Sequence, residues 1–442
     1  MDMKQHVNAM RDTCQRILSL AKQQGATSAE VGVSQDTGIS VQARNGDIET
    51  VEFNQDGSFG ISVYIGQQKG TATTTDTSDE ALNQAVAAAI NIAKFTAADP
   101  YAGLAEAELM ATDLIDLEMD HPENLSMEKM KQLALEAEAS GLAVKGVSQS
   151  DGASFSGHRN ARVYANTHGF IGDSCSTRYS ISSVLIGEDQ QGMQRDYWYT
   201  LARDFSKLDS AESVGKVAAE RVISRLNGRK LKTQKAPVLM SPEISRGLFN
   251  HFFGAISGGA LYRNSSFLVG AKGQDVFPEF ITINESPRLV GGLASSCFDN
   301  EGVATFERDI VADGVLQDYI LSSYSARRLK MKTTANAGGL HNVFISHGDN
   351  DFQAMLNELG TGFLVTEVMG QGVNIVTGDY SRGAAGFWVE QGEIKYPVHE
   401  VTIAGNLADM FKSIRCVGSD LDRRASVVCG SIIIDGMTIA GE

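Results

Sequence analysis

The chain has 442 residues, 42% of them hydrophobic and 21% charged, and its formal net charge at pH 7 is −16. This length predicts two or three structural units, since domains usually hold ~100–200 residues. The acidic balance disfavours direct nucleic-acid binding, which needs a basic surface, and no apolar run reaches the ~18 residues of a membrane span.

The first half of the chain predicts the same order of elements twice. An amphipathic helix over residues 4–24 ends at Gly25, a strand follows at 61–65, a turn at 66–70, and a helix runs from a capping box at 77–80 to about residue 95. A strand at 182–186, a turn at 187–192, a strand near 197–200 and a helix from about 209 to 226 repeat this order. Between them, Ser126 caps a helix that stops near Gly141. We interpret the repetition as an internal duplication.

A basic stretch separates this half from the rest of the chain, and we interpret it as a solvated linker: Arg225, Arg229, Lys230, Lys232 and Lys235. The prediction is an N-terminal α+β domain at 1–233, with a possible internal boundary near 115, and a C-terminal domain at 234–442.

The C-terminal half is predicted to be mostly β. Asp313-Gly314 indicates a hairpin between strands at 304–310 and 316–321. Strands at 363–368, 373–377, 385–389, 393–396 and 401–403 indicate a largely antiparallel sheet or barrel. The predicted fold class is α+β.

The cysteines and the N-terminus indicate the compartment. The first six residues are polar, and no apolar core of a signal peptide follows. The five cysteines are scattered and form no CxxC pair, a usage typical of a reducing compartment. The predicted location is the cytoplasm.

Common catalytic motifs are absent from the sequence, including the P-loop and GxSxG. His399-Glu400 begins like HExxH, but Ile403 replaces the second histidine and the segment alternates like a strand, so His399 is interpreted as an ordinary strand residue. His341 and His347 could share one face of a strand and bind a metal, but no third ligand follows from their spacing, which favours a structural or surface role.

Three segments carry a resemblance to a known family: 237–259, 378–390 and 397–406. The first is an apolar strand followed by Pro242 and a helix-like stretch rich in phenylalanine. Together they resemble the TldD/PmbA metallopeptidases, over nearly the whole chain, and more closely the PmbA (TldE) branch than the TldD branch.

The resemblance implies that this chain has lost a zinc site. TldD-type subunits carry HExxxH here, in which two histidines bind zinc and the glutamate is the general base. Matched by its offset from Pro242, the motif places Asn250 and Ala255 at the histidines and His251 at the glutamate, while Cys429 occupies the family's third-ligand position. A catalytic zinc typically needs three protein ligands, so we expect no catalytic residue and no metal in this chain. Asn250 and His251 could equally bond within a buried helix, and Cys429 could be a small buried apolar residue.

The resemblance also implies a function and a partner. The chain would pair with a TldD-like catalytic subunit that holds the zinc, and the heterodimer would cleave small or unfolded peptides in proteolysis or peptide maturation. The peptide would be held as an added strand. Expected lining residues are Gly360, Thr361, Gly362, Thr366 and Met369. Expressed alone, the chain is expected to form homo-oligomers, because its partner surface would be apolar.

Two other interpretations stay open, and with them the question whether this chain is itself an enzyme. It could be a stand-alone peptidase that uses Cys416, Cys429 and His251 as an unorthodox metal site, or a cysteine nucleophile, for which Arg415 beside Cys416 is the only indication. It could also be a non-catalytic binder of peptides or of a regulatory protein, since an older label of the family concerns modulation of DNA gyrase.

Overall fold

The computed structural model describes residues 3–190 and 192–442. Met1 and Asp2, within the polar N-terminal stretch, and Gln191, within the predicted turn at 187–192, lie outside the described residues. The helices are α1 Met3–Gln23, α2 Asp79–Phe95, α3 Met127–Leu142, α4 Ala211–Ser224, α5 Pro242–Ala255, α6 Gly258–Tyr262, α7 Ser323–Leu329, α8 Phe352–Leu359 and α9 Leu407–Lys412.

The strands of the N-terminal half are β1 Ser28–Arg44, β2 Asp47–Ile65, β3 Gln68–Thr74, β4 Val147–Asn166, β5 Ile171–Asp189 and β6 Gly192–Ala202. Those of the C-terminal half are β7 Gln234–Met240, β8 Ile283–Glu285, β9 Arg308–Ala312, β10 Val315–Leu316, β11 Val343–Ile345, β12 Gly362–Met369, β13 Val373–Asn374, β14 Asp379–Glu390, β15 Glu393–Asn406, β16 Ile414–Val417, β17 Val427–Val428 and β18 Ile432–Ala440.

The helix ends follow local chemistry. Gly25 adopts φ 98° after α1, and the N–H of Ala26 reaches back to the carbonyl of Ala21 at 2.9 Å, which completes the last turn. The predicted capping box at 77–80 is wrong by one residue: Ser78 is the N-cap of α2, and its hydroxyl accepts from the N–H of Ala81. No reciprocal bond forms, because the third helical residue is then an alanine rather than a glutamate.

The N-terminal half forms one antiparallel six-stranded sheet in the order β3-β2-β1-β4-β5-β6. Each half of this sheet is built from helix, three strands and helix, and the two halves join through β1 and β4, from Glu30 opposite Asn166 to Ala43 opposite Ala153. This arrangement confirms the predicted duplication. One face is covered by α1 and α2 on one half and by α3 and α4 on the other.

The strands of this sheet are much longer than predicted. β2 spans 19 residues where a strand at 61–65 was expected, and β5 continues through Gly187 to Asp189, so the turns on either side shrink. The reason is that residues 47–58 of β2 are exposed or only partly buried, so this part of the strand lacks the alternation of apolar and polar residues by which a sequence marks a strand.

The C-terminal half contains a closed barrel of five strands. β7 pairs in parallel with β12, and the antiparallel pairs β12–β14, β14–β15, β15–β18 and β18–β7 complete the ring. β13 and β16 extend it at β14 and β18. The two strands predicted at 393–396 and 401–403 are one strand, β15, which continues through Pro397. The largely antiparallel, barrel-like prediction is confirmed.

A five-stranded sheet, β10-β9-β8-β11-β17, packs beside the barrel. Its hairpin turns at Asp313 and Gly314, whose φ angles of 48° and 78° fit a type I′ turn. The flanking strands lie at 308–312 and 315–316, so the predicted ranges were wrong in extent. None of the described helices has both the length and the apolar character that a membrane span requires.

The junction between the halves differs from the predicted solvated linker at one residue. Arg225 is buried, with one guanidinium nitrogen 3.3 Å from Asp196 on β6 and another paired with Glu367 on β12. Arg229 and the three lysines of the stretch are exposed, as expected. Arg225 is buried because its two acidic partners compensate the loss of water, and it thereby connects the six-stranded sheet to the barrel.

Candidate functional site

The strand–proline–helix element is formed by β7 and α5. Pro242 occupies the first turn of α5, where its missing N–H costs no hydrogen bond. Leu248, Phe249 and Phe252 are buried in the barrel core, which fixes the rotation of the helix. This rotation leaves Asn250 exposed.

The residues that the resemblance places at the metal-site positions lie in three different environments. The half-buried ring of His251 packs edge-on against Tyr380 at 6.1 Å, and burial, followed by the charge of Arg382, lowers its pKa. Ala255 is fully buried in the core. Cys429 is also fully buried; its thiol donates to the carbonyl of Pro242 at 3.6 Å, and burial raises its pKa.

These residues do not fit a catalytic zinc. Cys429 contacts the start of α5, whereas Asn250 lies eight residues further on, a helical rise of ~12 Å. Ala255 offers no donor atom, and the Cys429 environment favours a neutral thiol over the thiolate that binds zinc. Among residues 3–190 and 192–442, no group of three or more His, Cys, Asp or Glu side chains could hold a metal ion.

The three histidines His341, His347 and His399 lie apart from one another. His341 is buried, with Nδ1 3.0 Å from the carboxylate of Glu285, while His347 is exposed and contacts the carbonyl of Gly348. His341 and His347 share no site, because His341 is buried against Glu285 whereas His347 is exposed to solvent. His399 lies within β15, and its Nε2 is 2.7 Å from the carbonyl of Arg225.

Cys416 lacks the features of an activated nucleophile. Burial, followed by the negative charge of Glu358, raises the pKa of its thiol to about 11. The adjacent Arg415 is already paired with Asp435, so its charge is largely neutralised.

The predicted peptide-lining residues lie at two ends of β12. Gly360 ends α8, Thr361 is exposed, and Gly362 begins the strand. Thr366 lies at a bulge near the other end and Met369 is the last residue, ~23 Å from the start of the strand at ~3.3 Å per residue.

The C-terminal part of β12, residues 366–369, is paired along one edge only. β14 pairs along the strand from Gly362 to Met369, whereas β7 pairs only with 363–365. Within the described part of the chain, no strand therefore pairs with the β7-side edge of 366–369, which leaves backbone groups that an added strand could use.

Sequence reasoning missed a cleft of about 680 Å³ between α5 and the uncovered face of the six-stranded sheet. Its walls come from alternate residues of β5 and β6, from α5 and from the segment before β17. The lining residues are Arg178, Ser180, Ser182, Val184, Tyr197, Tyr199, Leu201, Arg203, Arg246, Asn250, Leu293, Arg424, Ala425, Ser426 and Val427. The alternating serines of β5 were the available signal, but polar residues at every second position also occur on any solvated strand.

Two arginines of this cleft are held by carboxylates that lie outside its lining. Arg246 and Arg424 both bind Asp422, at 3.0 and 2.8 Å, and Arg424 also binds Glu243 at 3.1 Å. The Arg424 guanidinium stacks 3.8 Å above the ring of Trp198. This network joins α5 to β6 beside the cleft.

Three family models match consecutive segments of the chain. Models of the PmbA/TldA metallopeptidase match as domain 1 at 29–93, as central domain at 120–226 and as C-terminal domain at 233–441. The metalloprotease PmbA of Escherichia coli O157:H7 is 50% identical over 415 residues, 94% of this chain and 92% of that protein. The chain belongs to the PmbA/TldD metallopeptidase family.

Two solved structures share the fold of this chain. A protein of Bacteroides thetaiotaomicron, described as a candidate modulator of DNA gyrase, superimposes with a TM-score of 0.93 over 98% of this chain and 99% of that one, at 24% identity. TldE of Thermococcus kodakarensis gives a TM-score of 0.85 over 97% and 100%, at 19% identity. At such identities the likeness concerns the fold.

Proposed function

We propose that this chain is the PmbA/TldE-type subunit of a cytoplasmic two-subunit peptidase, and that a TldD-like partner supplies the zinc and the general base. One match carries the proposal: by its offset from Pro242, the HExxxH of TldD-type subunits falls on Asn250, His251 and Ala255, which cannot coordinate zinc and activate water together. The 50% identity to the metalloprotease PmbA over most of the chain supports the assignment to this branch.

The proposed role of the subunit is to complete the peptide-binding cavity. Small or unfolded peptides would be held by backbone pairing along the open edge of β12 at Thr366 and Met369, which is independent of peptide sequence. Gly360, Thr361 and Gly362, at the other end of β12, would contact a peptide only if it extended along the whole strand. Without its partner, the chain is expected to form homo-oligomers.

The test measures cleavage and zinc separately. We expect the chain, purified under reducing conditions without chelator, to contain well below one zinc per molecule and to raise peptide cleavage when mixed with its TldD-like subunit. Cys429→Ser should leave this gain intact, because the thiol has no part in catalysis. Close to one zinc per chain, or no gain on mixing, contradicts the proposal.

The two alternatives predict different results in the same experiment. A stand-alone peptidase would cleave without a partner and lose activity on Cys429→Ser or Cys416→Ser; the raised pKa values of both thiols oppose it. A regulator without proteolytic function would bind peptide or a protein partner, yet add nothing to the cleavage rate of the catalytic subunit.

A further inference from the structure

The cleft beside α5 has an unusual balance of charge. Its lining includes four arginines, Arg178, Arg203, Arg246 and Arg424, and no aspartate or glutamate. In a chain with a net charge of −16, this is a local concentration of positive charge. Asp422 and Glu243 neutralise Arg246 and Arg424 from outside the lining, which leaves the charges of Arg178 and Arg203.

Arg178 and Arg203 lie close together at one end of the sheet. Tyr179 of β5 pairs with Ala202, the last residue of β6, and Arg203 follows directly after it; both arginines line the cleft. The guanidinium of Arg203 is held by three carbonyls, of Gly292, Leu293 and Thr177, at 2.9, 2.7 and 3.2 Å. It is thereby fixed in place, but no carboxylate compensates its charge.

Arg178 has no anionic partner among the described residues. It is exposed at the cleft and takes part in no ion pair of residues 3–190 and 192–442. Burial, followed by the positive charge of Arg178, lowers the pKa of Arg203. An anion between them would remove the repulsion between the two cations.

The rest of the cleft suits a peptide. Tyr197 and Tyr199 stack with their ring centres 6.3 Å apart and form an aromatic wall on β6. Ser180, Ser182 and Asn250 provide hydroxyl and amide groups for a peptide backbone. Apolar surface with a few convergent polar groups and a fixed cation is the usual composition of a ligand site.

We propose that this cleft binds a carboxylate of the peptide substrate, with Arg178 as its ion-pair partner and Arg203 as the fixed second cation. The carboxylate is either the peptide's C-terminus or an aspartate or glutamate side chain. The inference rests on the proposed function, since it names the part of the substrate that this subunit holds. A guanidinium fork matches a carboxylate in planar, two-bond geometry, so arginine is the residue expected at such a site.

The experiment measures binding of fluorescein-labelled octapeptides of alanine, serine and leucine by fluorescence anisotropy, with the full-length chain. The free-acid peptide should bind about tenfold more tightly than its C-terminal amide, the difference that one charge-assisted hydrogen-bonded pair supplies. An amidated peptide with one internal aspartate distinguishes the two sources of the carboxylate. If the site binds any carboxylate, this peptide has the affinity of the free-acid peptide. If the site binds only a C-terminal carboxylate, this peptide has the affinity of the amidated peptide without aspartate.

The variants separate this role from a structural one. Arg178→Gln should abolish the preference without changing the melting temperature, because Arg178 has no partner to lose, and Arg178→Lys should restore part of it by charge alone. Arg423→Gln is the matched control, since Arg423 is exposed in the adjacent loop and does not line the cleft. It should retain the full preference.

Three outcomes overturn the inference: equal binding of acid and amide, a preference that survives Arg178→Gln, or no binding of either peptide up to about 1 mM. Failure of the proposed function is recognised separately, by the zinc content and by the gain in cleavage on mixing. A chain that prefers the free acid but adds no cleavage retains the carboxylate site and loses the assignment as a peptidase subunit.

Discussion

A buried carboxylate on β8 provides the most quantitative prediction. Glu285 is almost fully buried, and its carboxylate accepts bonds from Arg308 Nε at 2.9 Å, Asn336 Nδ2 at 2.8 Å, and the backbone N and ring Nδ1 of His341 at 2.9 and 3.0 Å. Glu285→Gln replaces one oxygen with an NH₂ group, which faces a donor instead of accepting from it. It also leaves Arg308, 9% exposed, without its anion.

The expected loss of unfolding free energy in Glu285→Gln follows from this geometry. Removal of one partner from a buried ion pair typically costs ~3–5 kcal/mol, because the remaining charge is left uncompensated. For a unit the size of the C-terminal half this corresponds to a fall in Tm of roughly 6–20 °C. Glu279→Gln, the same substitution at an exposed residue nearby, is the control and should change Tm by very little.

Circular dichroism melts across pH test the electrostatic part of the argument. Burial raises the pKa of Glu285, but the hydrogen bond from His341 and the charge of Arg308 outweigh it and leave the pKa below its usual value. The difference in unfolding free energy between the wild type and Glu285→Gln should therefore be fully present above the pKa of about 4.3 that glutamate has in the unfolded chain. It should disappear as the pH falls through the lower pKa of Glu285 in the folded chain. A loss below about 1 kcal/mol at pH 7, or a difference that does not shrink in acid, would refute the reasoning.

The remaining predictions concern two glycines and one cysteine. Gly386→Ala should destabilise the barrel by about 1–3 kcal/mol or more, since the new Cβ would lie 1.9 Å from the carbonyl of Leu364 on β12; an unchanged urea midpoint would contradict this. Gly247→Ala, in α5 with nothing within 4 Å of the new Cβ, should instead raise the unfolding free energy by about 0.5–1 kcal/mol, and a lowered midpoint would count against it. Iodoacetamide at pH 8 should leave Cys429 unlabelled in the native chain and label it after unfolding, as peptide mass spectrometry would show, because burial keeps it a protonated thiol.

Local sequence signals were sufficient for the longer helices α1 to α5, whereas the short helices α6 to α9 were not predicted. Ser126 caps α3 as predicted, since its hydroxyl bonds within one turn of chain and needs no distant partner. The limits of such signals appear at α2, where Thr77 and Ser78 compete as caps and the structure uses the second. The resemblance placed Asn250, His251, Ala255 and Cys429 at the metal-site positions, but the different environments of these residues could not be predicted from the sequence.

The sequence by itself determined the class of this protein: two repeats of strands and capped helices, and a β-rich second half. Each of these depends on neighbours along the chain. Only the tertiary structure decided that β12 and β14 close the barrel, that Arg225 connects the halves, and that Arg178 and Arg203 meet across the cleft from Arg246 and Arg424. These features join residues up to about 250 positions apart, and alternating polar strands have the same pattern whether they face solvent or a binding cleft.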